Sequence, residues 1–356
     1  MRIVQILPTI TMGDAVSNET LAFYHALKEA GYDTAIYAQN IGDKLPKGFI
    51  YRIDEYKDDA DFIIYHLSIG GEINNRLMGY KAKCLIVYHN VTPEEFFAPY
   101  SMQSQMLCRE GIEAVKMLSQ TPVMCIADSE FNKQDLIRLG YTCDIKVLPI
   151  LMQFDDYDKK PSQNVLKRFK DDGYVNILFT GRIAPNKKQE DIIRSFYYYK
   201  TYINPKSRLI LAGSYQEQDI YARKLRKYIK QLELDDVIMT GHIPFDEILA
   251  YYHLADVFLV LSEHEGFCVP LVEAMYFGKP IVAYDSTAVG ETLGDAGILL
   301  KDKDSKLVAE AIDRIVKDTD LRDYFIQAGK DRLATFAPEK VKKQFIQIVE
   351  EAIKAL

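Results

Sequence analysis

Short β-branched apolar runs alternate with longer amphipathic stretches along almost the whole chain. In the first half the runs are 3–7, 34–38, 62–67, 84–88, 123–127 and 145–148. Between them apolar residues recur at helical spacing, as in 18–30, ended by Gly31, and 132–139, ended by Gly140. A glycine just past a periodic stretch takes the left-handed cap without Cβ strain, so both stretches are predicted helices. The runs lack polar alternation, which is the pattern of strands buried on both faces in a parallel sheet covered by helices. The alternation lapses after residue 152 in a charged, proline-containing stretch. It restarts at 176–180, 208–212, 237–240, 257–261, 280–284 and 298–300, and three more helical stretches follow Asp304. The prediction is α/β: two doubly wound parallel-sheet domains, 1–155 and 175–337, joined by a linker over 156–174. Two such sheets facing across a cleft place a ligand at the carboxyl ends of their strands.

The length, 356 residues, also favours two domains, and 48% apolar with 27% charged residues is an ordinary globular mix. The net charge is −7 and neither half is basic, which argues against nucleic acid as a partner. The longest charge-free stretch, 96–108, falls short of the roughly 18–20 apolar residues that span a bilayer. MRIVQILPTITMGD holds a proline and lacks a small-x-small cleavage site, so it reads as a buried first strand rather than a signal segment. Five widely spaced cysteines without a CxxC pair indicate neither a disulfide framework nor a zinc site. A cytoplasmic protein is expected.

The densest constellation is SEHEGFCVPLVEAMYFGKPIVAY, 262–284. A buried strand ends before it, a polar loop follows, and a helix opens near 267–270. Glu265 and Glu273 are eight residues apart, a little over two helical turns. With Glu265 in the loop and Glu273 in the helix, both carboxylates can face one ligand. Gly266 admits a close backbone approach, and the helix start offers unpaired N–H groups. Spacing alone favours two surface glutamates on an ordinary strand-to-helix turn.

EGFCVPLVEAM resembles the Glu-x7-Glu signature of the retaining nucleotide-sugar glycosyltransferases of family 4, which have the GT-B fold of two Rossmann-like domains. TGRIAPNKKQEDIIRSF is similar to that family's GR-x4-K donor-phosphate segment, LAGSYQ to its nucleotide loop, and VIMTGHIP to its base-contacting strand end. AVGETLGDAGILL resembles the stretch that closes over the donor. GDAVSNETL, YHNVTP and IADSEFNKQDLIRLGY resemble the first domain more loosely. The resemblance implies donor contacts from Gly13, Asp14, Gly181, Gly213, His242, Ile243, Gly266, Phe267, Cys268, Val269 and Glu273, with Glu273 on the ribose hydroxyls. It implies catalytic roles for His89, Arg182, Lys187 and Glu265, the last on the donor hexose. His66, Ser129 and Phe96 are acceptor-side candidates. Residues 338–356 are expected to cross back onto the first domain.

The chemistry fits those residue types. Cleaving a sugar–diphosphate bond builds negative charge on the leaving group, which fixed cations at Arg182 and Lys187 can stabilise. A mobile divalent metal could carry the same charge, but no essential metal, and no cofactor beyond the nucleotide diphosphate sugar co-substrate, is expected. Asp-x-Asp triplets at Asp59 and Asp61, and at Asp156 and Asp158, read as solvated charge. His89 ends a strand, and Thr92-Pro93-Glu94-Glu95 predicts a helix starting at once, with Thr92 as cap. Ser17 reads either as the cap of the first helix or as a donor contact. The chain departs from the family by Cys268 and Lys188 where glycine is usual, by a single glycine at 13, and by LPILMQFD. The expected activity is transfer of a hexose from a UDP or GDP sugar to a saccharide or lipid-linked acceptor, in surface-polysaccharide or glycoconjugate synthesis. The alternatives are an epimerase or phosphorylase of the same fold, or a noncatalytic partner subunit. Phe96, Phe97 and Tyr100 read either as a lipid or sugar contact or as a buried helix face. The basic face Arg223, Lys224, Arg226, Lys227 and Lys230 reads either as solvated or as a peripheral contact with the inner face of a membrane.

Overall fold

Seven parallel strands form the first sheet: β1 (Arg2–Ile10), β2 (Asp33–Ile41), β3 (Ile50–Arg52), β4 (Phe62–Leu67), β5 (Lys83–Tyr88), β6 (Met124–Ala127) and β7 (Asp144–Val147). Their order is β3-β2-β1-β4-β5-β6-β7, and Ile3 of β1 lies opposite Phe62 of β4. The computed structural model describes residues 1–169 and 172–355. It divides into Met1–Gln153 with Phe336–Leu356, and Phe154–Thr335. Helices α1 (Ala15–Glu29), α2 (Glu72–Leu77), α3 (Met102–Met117) and α4 (Glu130–Arg138) accompany the first sheet. All six residues of β4 are buried, as its unbroken apolar run predicts.

The second sheet has six parallel strands: β8 (Val175–Thr180), β9 (Ser207–Ala212), β10 (Val237–Met239), β11 (Val257–Val260), β12 (Ile281–Tyr284) and β13 (Ile298–Leu300), in the order β10-β9-β8-β11-β12-β13. With it go α5 (Gln163–Phe169), α6 (Gln189–Tyr202), α7 (Ile220–Gln231), α8 (Phe245–Leu254), α9 (Val269–Tyr276), α10 (Val289–Leu293), α11 (Ser305–Lys317) and α12 (Thr319–Leu333). The last helix, α13 (Pro338–Lys354), belongs to the first unit. Its Phe345 stacks on Phe23 of α1 at 3.7 Å, and Val341, Val349 and Ala352 join the same core. No helix among the described residues is long and apolar enough to cross a membrane.

Three local expectations are corrected. The segment 156–174 is not a free linker. Its described part is built into the second unit, where Val165 and Phe169 are buried and Arg208 lies over the Phe169 and Tyr174 rings at 4.6 and 4.7 Å. Its charged residues mask an apolar pair at i, i+4, enough for a short docked helix. Lys170 and Asp171 lie outside the described residues. The helix expected from Thr92 is a single 3-10 turn, Glu94–Phe96. Pro99 disfavours helical backbone at the residue before it, and the α-helix begins only after Ser101, whose hydroxyl accepts the Ser104 N–H. The cap of α1 is Asp14 rather than Ser17: Asp14 accepts the Ser17 N–H at 3.1 Å and the Ser17 hydroxyl at 3.0 Å.

Candidate active site

Strand order reverses once in each sheet, between β1 and β4 and between β8 and β11. Loops leaving the carboxyl ends of strands at such a point diverge and open a crevice. Of the residues singled out from sequence, Gly13, Asp14 and His66 lie at the first point, and Gly181, Arg182, Lys187 and Glu265 at the second.

In the second unit, β8 runs into Gly181 and Arg182, and a 3-10 turn, Pro185–Lys187, leads to α6. Gly181 has φ +139°, and a Cβ at Gly213, after β9, would stand 1.8 Å from the Gly181 oxygen. Two neighbouring strand ends therefore touch backbone to backbone, which only glycine at 213 allows. The loop after β8 is stitched to the loop after β11. Glu263 N–H donates to the Asn186 oxygen at 2.9 Å, and Asn186 Nδ2 donates to the His264 oxygen at 3.0 Å.

Across this seam Lys187 Nζ donates to Glu265 Oε2 at 2.5 Å, with side chains 21% and 8% exposed. Glu265 is fixed further by its N–H donating to Thr287 Oγ1, while that hydroxyl donates back to the Glu265 oxygen, both at 2.9 Å. The expected phosphate lysine and hexose glutamate thus form one ion pair. Arg182 is exposed and makes no ion pair among the described residues. Glu265 and Phe267 are buried, Gly266 and Val269 half-buried, and Val269 opens α9. Lys188 and Cys268, both in place of a family glycine, have positive φ, 52° and 75°.

Glu273, in α9, accepts from Tyr157 at 3.0 Å on Oε1 and from Tyr252 at 2.6 Å on Oε2. Burial raises its pKa, and the two phenol donors oppose the rise. His242 is exposed and Ile243 half-buried in the loop after β10, two strands from β8.

In the first unit Gly13, with φ +80°, and Asp14 follow β1. His66 is buried within β4 and His89 follows β5. The side-chain amide of Gln5 donates to the Thr20 oxygen at 3.1 Å, so its oxygen faces His66 Nε2 at 2.9 Å as an acceptor. His66 must donate there and accept on Nδ1, which lies 2.9 Å from His89 Nε2. His89 Nδ1 then faces Asp128 Oδ2 at 3.2 Å and Glu19 Oε2 at 3.5 Å. A lone pair there would oppose the Asp128 carboxylate, so Nδ1 donates to Asp128 and the charged form of the ring is favoured. Burial works against that charge, but Asp128 and Glu19 overcome it and raise the His89 pKa. Burial and then His89 push the His66 pKa well down. Burial and then Asp128 raise Glu19 to about 8.

Among the described residues, Glu19, His89 and Asp128 are the set whose ligating atoms, within 4.8 Å of one another, could hold a metal. The His89 side chain is only 3% exposed, and both ring nitrogens are engaged internally. Ser129 caps α4 through the Asn132 N–H at 3.2 Å, and Phe96 packs against the first unit's core.

Sequence reasoning passed over Glu19, Asp128, Gln5, Tyr157 and Tyr252. Glu19 carried a signal: with Ala22, Phe23 and Ala26 it lies on the i, i+3, i+4, i+7 stripe of α1, so an acid occupies a core-facing position.

The family described as Glycosyl transferases group 1 matches residues 163–332. Among curated proteins, the O-antigen chain mannosyltransferase B of Escherichia coli is 25% identical over 243 residues, 67% of this chain and 61% of that protein. The amylovoran biosynthesis glycosyltransferase AmsD of Erwinia amylovora is 26% identical over 346 residues, 91% of this chain and 92% of that one. Among solved structures, sucrose-phosphate synthase from Thermosynechococcus elongatus superposes with a TM-score of 0.79 over all of both chains at 18% identity, a likeness of fold. Residues 163–332 thus match the group 1 glycosyl transferases, within a chain that has the GT-B fold.

Proposed function

We propose that this chain is a retaining glycosyltransferase that moves a hexose from a UDP or GDP sugar to a saccharide or lipid-linked acceptor. The observation that carries the reading is the Lys187–Glu265 ion pair at the reversal point of the second sheet, inside the matched region, with the exposed Arg182 on the same strand-end loop as Lys187. Arg182 and Lys187 meet the charge that develops on the diphosphate as the bond from sugar C1 to phosphate oxygen breaks, without a metal. Glu265 receives hexose hydroxyls, and Glu273 the ribose hydroxyls. The acceptor oxygen bonds to C1 from the face the phosphate leaves, and its proton passes to the departing phosphate oxygen. The names of the two curated relatives support a setting in surface-polysaccharide synthesis. For a lipid-linked acceptor, exposed Arg223, Lys227 and Lys230 of α7 offer a contact with anionic lipid.

The test is thermal shift with a panel of nucleoside diphosphates and their sugars, in EDTA, on wild type and Arg182→Ala. Stabilisation by one nucleotide series, lost in the variant, is the expected outcome. No stabilisation by any of them sinks the reading.

A further inference from the structure

Glu273 is held from two sides by residues that no motif contains. Tyr252, buried in α8, donates its single hydroxyl proton to Glu273 Oε2 at 2.6 Å. Its oxygen lies 2.7 Å from Thr180 Oγ1, so the threonine hydroxyl must donate to it. On the other side Tyr157 donates to Oε1 at 3.0 Å. Tyr157 comes from the 3-10 turn Phe154–Asp158 that opens the second unit. Its ring packs among three other aromatic rings. Tyr276 is 5.3 Å away between centroids, Phe245 and Phe277 are each 5.9 Å away, and the Tyr276 hydroxyl ties the turn down by donating to Asp158 at 2.7 Å.

A carboxylate offers about four lone-pair positions. Here one on each oxygen carries a tyrosine proton, which fixes the carboxylate plane and leaves one acceptor position on each oxygen. Two parallel acceptors a carboxylate's width apart match two adjacent hydroxyls. A lone Glu273 would be free to rotate about its terminal torsion and would lose that match.

We propose that Tyr157 and Tyr252 are positioning residues for the donor nucleotide, holding Glu273 so that it accepts both hydroxyls of a vicinal diol, the ribose of a nucleoside diphosphate. This rests on the donor-site reading above and deepens it: the turn at 154–158 becomes part of the nucleotide site.

The experiment is calorimetric titration of UDP, GDP and their 2′,3′-dideoxy analogues into wild type, Tyr157→Phe and Tyr252→Phe. Wild type should prefer the ribose form of one nucleotide by about tenfold or more, the scale of hydrogen bonds to a charged group. Each variant should cut that preference about three- to tenfold and leave affinity for the dideoxy form unchanged. Three results overturn the inference alone: an unchanged preference, an equal loss for both forms, or tighter ribose binding with Tyr157 removed. A wild type that binds nucleotide without preferring ribose overturns the diol assignment and the inference with it, but leaves the donor reading standing. A wild type that binds neither diphosphate overturns that reading as well.

Discussion

Lys187 and Glu265, 78 positions apart in sequence, form an ion pair across two adjacent strand-end loops, so the charge that a diphosphate would meet is already half-neutralised. Binding an anion to Lys187 then competes with Glu265. Glu265→Gln should strengthen binding of a bare nucleoside diphosphate about three- to tenfold while abolishing transfer. Lys187→Met should weaken the same binding at least about tenfold. It should also cost about 1–3 kcal/mol of stability, because Glu265 loses its charged donor. Calorimetry and urea unfolding on both variants check this, and weaker diphosphate binding by Glu265→Gln would refute the competition.

Cys268 occupies left-handed backbone, φ 75° and ψ 62°, at the N-cap of α9. An L residue there costs roughly 1–2 kcal/mol more than in the right-handed region, a penalty glycine escapes. Alanine normally stabilises over glycine by about 0.5–1 kcal/mol through the unfolded chain. At this position the order should reverse, with Cys268→Gly more stable than Cys268→Ala by about 0.5–1 kcal/mol in urea melts. An alanine variant at least as stable as the glycine one would refute the backbone argument. Lys188, at φ 52°, is held by an ion pair to Glu263 at 3.0 Å, which complicates the same comparison there.

The sheets were legible because buried parallel strands announce themselves as unbroken apolar runs: β4 and β13 match the runs 62–67 and 298–300 end to end. β3 was invisible, since IYR is too short to show any period. Motifs at strand ends led to Arg182, Lys187, Glu265 and Glu273, and alternation located the strands that these motifs follow. The pairing of Lys187 with Glu265 could not be read, because it depends on the β8–β11 neighbour relation rather than on spacing. Tyr157 was hidden in a stretch whose charge reads as linker. His89 was found, but its enclosure by His66, Asp128 and Glu19 comes from three elements that sequence cannot align.

Gly213 is needed for space rather than for dihedral freedom. A methyl there would stand 1.8 Å from the Gly181 oxygen and 2.6 Å from its carbonyl carbon, both backbone atoms. Gly213→Ala must push the two strand ends apart, at an overpacking cost of about 1–3 kcal/mol. The same displacement moves Arg182, the next residue, so nucleotide stabilisation in thermal shift should fall with it. A variant with wild-type Tm and wild-type nucleotide shift would show that the contact has slack.

The relay in the first unit makes stability depend on pH with a sign that can be worked out. Glu19 titrates at about 8 in the fold against 4.5 in the open chain, so between those values the folded state holds an extra proton. Stability therefore falls as pH rises through that window, by up to about 1.4 kcal/mol per pH unit for one proton. His66 is depressed by burial and His89, so the unfolded chain binds the extra proton below about 6.5. Its slope opposes that of Glu19 there and vanishes above that pH. The charge on His89, favoured by Asp128 against burial, adds stability present below about 6.5 and lost as pH rises through its raised value. Stability should thus be nearly level below pH 6.5 and drop between 6.5 and 8. Glu19→Gln keeps an acceptor for the Leu151 N–H, now 3.0 Å from Glu19 Oε1, and removes the titrating carboxyl. Urea melts at pH 6.5, 7.25 and 8 should show a smaller drop in the variant. An identical drop in both proteins would mean that Glu19 is already ionised at pH 6.5.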